Sequence, residues 1–127
     1  MSESSNENVQ GLTMLINTRY ARISIHRQTL KALGDPAFIN WGYHFQSKKL
    51  ILFSSGTDAC KALRVTLNKD GACYIYSRNL IDGLRHVSSV LTEDGSFLLK
   101  GEMDHKASSV SFKLEEAQIV MQYDEPR

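Results

Sequence analysis

One pattern of apolar residues occurs twice in this 127-residue chain, and the repetition limits the folds that the chain can adopt. The first occurrence begins Arg22-Ile23-Ser24-Ile25-His26-Arg27 and continues to Leu30 and Leu33, and the second begins Tyr74-Ile75-Tyr76-Ser77-Arg78 and continues to Ile81 and Leu84. An offset of 51 positions aligns Ile23 with Tyr74 and Leu33 with Leu84. A unit of this size is too small to bury its own apolar face, so we expect the two copies to pack together.

Each copy predicts a strand, a short helix and a hairpin. Residues 22–25 alternate polar and apolar side chains, which is typical of a strand, and Leu30 and Leu33 share one face of a helix that Gly34 ends. Residues 38–45 and 50–53 form the first predicted hairpin. In the second copy, Ser77 is expected to cap a helix over 78–90, and the hairpin strands are predicted at 96–103 and 109–114.

The predicted fold is therefore a β-rich α+β domain of two tandem strand-helix-hairpin copies. The domain is expected over 13–120, with the copies at about 18–54 and 70–114, a disordered leader over 1–12 and a loose tail over 121–127. Its core is predicted to bury twelve side chains, namely Ile23, Ile25, Leu30, Leu33, Leu50, Leu52, Tyr74, Tyr76, Ile81, Leu84, Val110 and Phe112.

We expect a cytoplasmic protein. The chain contains no run of about 18 apolar residues, so no membrane span is expected. The first ten residues have neither the basic region nor the apolar run of a signal peptide. Cys60 and Cys73 form no metal-binding spacing and are expected to be reduced thiols. We expect no metal and no cofactor.

Charge is distributed unevenly along the chain. Residues 13–69 contain nine basic and two acidic side chains, whereas residues 70–127 contain six basic and ten acidic ones. A basic half of this kind can bind a polyanion. The alternative is that it pairs with the acidic half, within one molecule or between two molecules of a homo-oligomer.

The first copy resembles the AbrB/MazE/SpoVT swapped-hairpin family. The resemblance is carried by Arg22-Ile23-Ser24-Ile25 and by Leu30 and Leu33-Gly34. A tandem pair in one chain resembles the arrangement of the MraZ proteins. Two departures from the family pattern are His26, where the family usually has proline, and Arg85-His86, which follow Leu84 where the first copy has glycine.

The resemblance implies a bacterial transcriptional regulator that binds double-stranded DNA with basic residues near the first strand and helix. In this chain those residues are Arg19, Arg22, Arg27 and Lys31. Arginine suits such a site independently of the family, because its forked donors match phosphates and guanine edges.

Two other functions stay open at this level. One is a protein-interaction or antitoxin-like module of the same fold that does not bind DNA and meets an acidic partner. The other is an enzyme of unrecognised type, although no nucleophile elbow, phosphate loop or dinucleotide fingerprint occurs, and the four histidines have no ligand spacing. We therefore expect no catalytic residues. The aromatic side chains Trp41, Tyr43 and Phe45 are expected in the core rather than on a base-stacking surface.

Overall fold

Antiparallel strands dominate the computed structural model, which describes residues 11–55 and 62–123. Strands account for 47% of the structure and helices for little, in agreement with the predicted β-rich α+β class. In these two ranges the strands are β1 (Thr13–Asn17), β2 (Arg22–Ile25), β3 (Phe38–His44), β4 (Lys49–Ser55), β5 (Leu63–Arg64), β6 (Cys73–Tyr76), β7 (Gly95–Asp104), β8 (Ser109–Lys113) and β9 (Gln118–Gln122). The helices are α1 (Arg27–Ala32) and α2 (Arg78–Val87), and a 3-10 turn covers Leu114–Glu116.

The described strands form a single curled sheet, an antiparallel half-barrel. Their order is β5-β3-β4-β8-β7-β1-β2-β6, and β9 lies beside β7. The long strand β7 pairs with β1 and β9 through its first half and with β8 through its second half. The segment 63–67 connects the two ends of the sheet, because β5 pairs with β3 and Leu67 bridges to Cys73 on β6.

Local contacts explain the end of α1 and both ends of α2. Gly34 has a positive φ of 85° and its amide donates to the Lys31 carbonyl oxygen, which ends α1 as predicted. The Ser77 hydroxyl accepts a hydrogen bond from the Leu80 amide and caps α2. Helix α2 stops at Val87, not at residue 90, because the Ser88 hydroxyl accepts hydrogen bonds from the amides of residues 90 and 91.

Ten of the twelve predicted core residues are buried, and the prediction is wrong for Tyr74 and Tyr76. The β2–β6 ladder places Ile25 opposite Cys73 and Ile23 opposite Ile75, with these four side chains in the core. Tyr74 and Tyr76 alternate with Cys73 and Ile75 along β6, so the two tyrosines lie on the outer face of the sheet.

An offset of 51 residues consequently aligns buried residues with buried residues at the two helices but not at the two strands. In α1 and α2 the aligned pairs Leu30 with Ile81 and Leu33 with Leu84 are all buried. In the second copy two residues, 76 and 77, separate the last inward-facing strand residue from the helix, whereas His26 alone separates them in the first. This additional residue changes which strand residues face inward.

Two strands lie where the sequence predicts none. Strand β1 pairs with both β2 and β7, and Leu12 just before it is buried, although it belongs to the expected leader. Strand β9 extends to Gln122, where a loose tail is expected from residue 121. Residues 1–10 and 124–127 lie outside the described residues. Neither helix in the described ranges is long and apolar enough to cross a membrane.

Two glycines provide a matched test of packing. A Cβ atom at Gly101 on β7 would lie 2.6 Å from Val110 and 2.8 Å from Phe112, whereas one at Gly83 on α2 would meet no atom within 4 Å. We expect Gly101→Ala to lower the free energy of unfolding by about 1–3 kcal/mol because the core there is already filled. Gly83→Ala should raise it by up to about 1 kcal/mol, because alanine favours a helix. Urea denaturation of the two variants checks this, and equal effects would contradict the described packing around β7.

Candidate functional site

An arginine and two tyrosines meet on the outer face of the sheet. Strand alternation directs Arg22 of β2 and Tyr74 and Tyr76 of β6 away from the core. The Arg22 guanidinium carbon lies 4.9 Å from the centre of the Tyr74 ring, and the two tyrosine rings are 6.3 Å apart at 81°. Tyr76 is 64% exposed and Tyr74 is 39% exposed. The guanidinium is thus held against an aromatic ring at the surface.

A second cluster of the same composition lies at the turn between β1 and β2. The Arg19 guanidinium carbon lies 5.0 Å from the centre of the Tyr123 ring. Tyr20, which is 57% exposed, packs edge-on against Tyr123 at 5.7 Å and 75°. We call the six residues of the two clusters the arginine–tyrosine face: Arg19, Tyr20, Arg22, Tyr74, Tyr76 and Tyr123.

Asn17, a buried residue at the end of β1, holds the second cluster in place. Its side-chain amide donates to the Tyr123 hydroxyl at 2.8 Å, and its side-chain carbonyl oxygen accepts from the Tyr20 amide at 2.9 Å. The Arg78 guanidinium at the start of α2 donates to the carbonyl oxygen of Arg19 at 3.0 Å. The turn that presents Arg19 and Tyr20 is therefore fixed from both sides.

A cleft of about 380 Å³ lies beside the first cluster, at the junction of β2 and α1. Arg22, Arg27 and His26 line it together with Asp70 and Tyr74. The His26 ring shares a hydrogen bond of 2.7 Å with the Thr13 hydroxyl, and burial lowers the pKa of the imidazole. The cleft thus presents two guanidinium groups beside a histidine that is neutral near pH 7.

The four residues predicted to contact DNA do not form one group. Arg22 and Arg27 line the same cleft, although Arg27 also forms an ion pair with Asp35 at the surface. Arg19 lies at the β1–β2 turn, in the second cluster. Lys31 is exposed on α1 and lines a separate pocket with Gln28 and His105.

Few ion pairs compensate the basic half of the chain. In the described parts of the structure, Lys48 with Glu115 is the one ion pair that joins residues 13–69 to the acidic half. Hydrogen bonds from the hydroxyl and the amide of Ser89, with a smaller contribution from Lys48, lower the pKa of Glu115. Neither Arg19 nor Arg22 has a carboxylate within 4.0 Å among the residues that the structure describes.

The aromatic residues of the first hairpin form a separate, apolar groove against α2. Trp41 and Tyr43 are half-buried there, facing Leu80 and Val87 of the helix. Phe45 lies beyond the strand end and is 74% exposed. The expectation of core positions therefore applies to the first two aromatics and is wrong for Phe45.

Groups that would support metal or thiol chemistry are isolated. No cluster of three or more histidine, cysteine or acidic side chains occurs within residues 11–55 and 62–123. Cys73 is a buried free thiol, and burial raises its pKa, with a hydrogen bond to the Thr66 backbone acting in the opposite direction. Cys60 lies outside the described residues.

Comparison of the chain with protein-family models, curated proteins and solved structures found no match. The chemistry of the arginine–tyrosine face is therefore the basis for assigning a function. Two of its six residues, Arg19 and Arg22, are predicted from the sequence. No sequence pattern singles out Tyr20 or Tyr123. Tyr74 and Tyr76 alternate with Cys73 and Ile75 along the strand, and this alternation is compatible with an outer position for the two tyrosines.

The half-buried side chain of His26 predicts a dependence of stability on pH. Because the folded-state pKa of His26 lies below its ordinary value of 6.5, the unfolded chain binds more protons as the pH falls through 6.5. The stabilising contribution of the neutral imidazole is complete above pH 6.5 and is lost as the pH falls toward the folded-state pKa. In urea denaturation between about pH 7.5 and 5, His26→Gln should flatten part of this dependence. An unchanged slope would contradict the partial burial of His26 beside Arg22, Arg27 and Asp70.

Proposed function

We propose that this protein is a small DNA-binding regulator that contacts duplex DNA through the arginine–tyrosine face and the adjoining cleft. The observation that carries the proposal is that Arg19 and Arg22 stack on tyrosine rings at the surface without a carboxylate partner among the described residues. Stacking orients the planar guanidinium and leaves its N–H groups available to phosphate oxygens. A preorganised arginine loses little side-chain entropy on binding.

The proposal includes a tandem swapped-hairpin fold of AbrB type. Its two units would be β1-β2-α1-β3-β4 and β5-β6-α2-β7-β8. The strand pairing supports this division, because β2 pairs with β6 and β4 with β8 in antiparallel fashion, as a twofold relation between the units requires. Moreover, β1 pairs with the hairpin strand β7 of the other unit, and β5 pairs with the hairpin strand β3. This exchange is the feature that the family resemblance implies.

The registers add a second line of support for two related units. The β4–β8 ladder runs from Lys49 opposite Lys113 to Phe53 opposite Ser109, and it is centred on Ile51 and Ser111. In both strands the core residues flank that centre, Leu50 and Leu52 in one and residues 110 and 112 in the other. The second unit would thus repeat the first with a longer helix and connector.

A protein-interaction module is the second candidate function. It is favoured by the apolar groove of about 350 Å³ between the first hairpin and α2, whose rim carries the exposed Phe45 ring. Exposed aromatic side chains are frequent at protein interfaces. The groove is separate from the arginine–tyrosine face, so the two candidate functions involve different residues.

Mutation of the cleft arginines tests the DNA-binding proposal. Arg22→Ala combined with Arg27→Ala should weaken duplex binding and reduce the slope of log affinity against log salt by about 0.9 for each phosphate that the variant no longer neutralises. The Arg27–Asp35 pair is exposed, so its removal should cost at most about 1 kcal/mol of stability. A mobility-shift titration at several salt concentrations measures both the affinity and the slope.

The matched control replaces two lysines of the acidic half, Lys106→Ala with Lys113→Ala, which removes the same charge elsewhere. This double variant should keep most of the affinity and the slope. Equal effects of the two double variants would show that only overall charge matters. Absence of duplex retention by the unaltered protein even near ~50 mM salt would refute the proposal.

A further inference from the structure

The tyrosines of the arginine–tyrosine face are not explained by duplex binding. Phosphate contacts require the arginines, but they do not require four aromatic rings around them. The geometry points to a second capacity of the same face: binding of single-stranded nucleic acid, with unpaired bases stacked on Tyr76 and Tyr20 and phosphates bound by Arg22 and Arg19. This inference rests on the proposed function, because it names a further ligand class for that site.

One arrangement of side chains recurs at two places on the face. Each cluster contains an arginine over one tyrosine ring and a second tyrosine nearly perpendicular to that ring. In the first cluster the arginine lies over Tyr74, and the other ring, Tyr76, is the more exposed of the two. In the second cluster the arginine lies over Tyr123, and the other ring, Tyr20, is largely exposed. The arginine occupies part of one ring surface, so the other ring remains free to stack.

The register of the sheet places both clusters on the same face of the sheet, with the side chains of Asn17 and Ser96 themselves buried. Cross-strand pairing from β6 through β2, β1 and β7 to β9 aligns two rows of residues. The first row is Tyr76, Arg22, Asn17, Ser96 and Met121, and the second is Tyr74, Ser24, Leu15, Leu98 and Gln118. Asn17 also holds Tyr123 through its side-chain amide, which connects the first row to the second cluster.

The charge of this surface fits a polyanion. Neither row contains a carboxylate, and the first contains one guanidinium. Among residues 11–55 and 62–123, the carboxylate residues that contact the surroundings of the two clusters are Asp70, Glu93 and Asp94. Asp70 lines the cleft, and the backbone carbonyl oxygens of Glu93 and Asp94 accept hydrogen bonds from the Thr18 hydroxyl and the Tyr123 amide. Asp94 pairs with Arg85, and Glu93 accepts a hydrogen bond from Gln122.

The exposed ring faces favour single strands over duplex. In a duplex the faces of the bases are covered by their neighbours, so an aromatic side chain on a broad open sheet cannot stack on them. Unpaired bases expose these faces, and stacking on aromatic residues of a sheet is a common way to bind single strands. A surface of β-strands with tyrosines and arginines has the chemistry for this contact.

The test uses the full-length protein and fluorescently labelled strands of about 20 nucleotides, longer than the ~4–16 nucleotides that one such surface covers. Oligothymidylate and oligouridylate distinguish DNA from RNA as the source of the strand, and a duplex of the same length is titrated in parallel. Tyr76→Leu should weaken single-strand binding by about 5- to 150-fold, as expected when one base–aromatic stack is removed. Because stacking involves no counterion, the salt slope should not change, whereas Arg22→Gln should reduce it.

Two controls separate ring stacking from other effects. Tyr76→Phe keeps the ring and should retain the affinity, and Phe45→Leu removes an exposed ring outside the face and should have no effect. Since Tyr76 is largely exposed, the Leu variant should unfold at the same urea concentration as the unaltered protein. Tyr20→Leu provides a second, independent variant at the other cluster and should also weaken single-strand binding.

The results also separate the two proposals. Duplex binding that depends on Arg22, together with no affinity for either single strand, would overturn this inference and leave the proposed function intact. Single-strand binding without duplex binding would support the inference and refute duplex recognition. A decrease of affinity in Tyr76→Phe equal to that in Tyr76→Leu would overturn the stacking role, since the hydroxyl would then be the contact.

Discussion

The pairing of β2 with β6 determines both the core and the surface of this protein. These strands come from the two halves of the chain, and their antiparallel register places Ile23 opposite Ile75 and Arg22 opposite Tyr76. Because side chains alternate along a strand, a slip of one residue would expose the isoleucines and bury the arginine. Such a slip would bury the unpaired charge of Arg22 and expose the two isoleucines to water, and both changes are unfavourable. The observed register is therefore strongly preferred. The same constraint that fills the core thereby brings the guanidinium and the tyrosines together outside it.

A small set of hydrogen bonds extends this order from the strands to the turn between β1 and β2. Asn17 binds the backbone on one side of the turn and the Tyr123 hydroxyl on the other, and Arg78 binds the turn carbonyl oxygens. Ala21 completes the turn with a positive φ of 54°, an uncommon value for a residue with a side chain. The half-buried arginine and the exposed tyrosine of the turn are thus held by hydrogen bonds that are mostly part-buried, as a site that must present side chains rigidly requires.

Arg19 and Arg22 pair with tyrosine rings and, within residues 11–55 and 62–123, with no carboxylate. An ion pair would hold the guanidinium equally well but would neutralise it and occupy its donors. Arg27 lines the same cleft as Arg22, but its guanidinium forms an ion pair with Asp35. The guanidinium groups of Arg19 and Arg22, held on tyrosine rings, are the physical basis for both binding proposals.

Local elements of this protein can be predicted from its amino-acid sequence alone. Alternation predicts β2 and β6, the spacing of Leu30 and Leu33 predicts α1, and Ser77 and Gly34 mark helix boundaries, since these signals act within a few residues. The side-chain identities also predict Arg19 and Arg22 as surface cations.

Tertiary packing was needed to establish that Tyr74 and Tyr76 face outward, because an extra residue before α2 changes the direction of the strand side chains. Pairing between residues far apart in the chain also makes strands of β1 and β9, and it sets Tyr123 beside Arg19. No local pattern encodes contacts over such separations, so these features of the face follow from the folded structure and not from any one segment of the sequence.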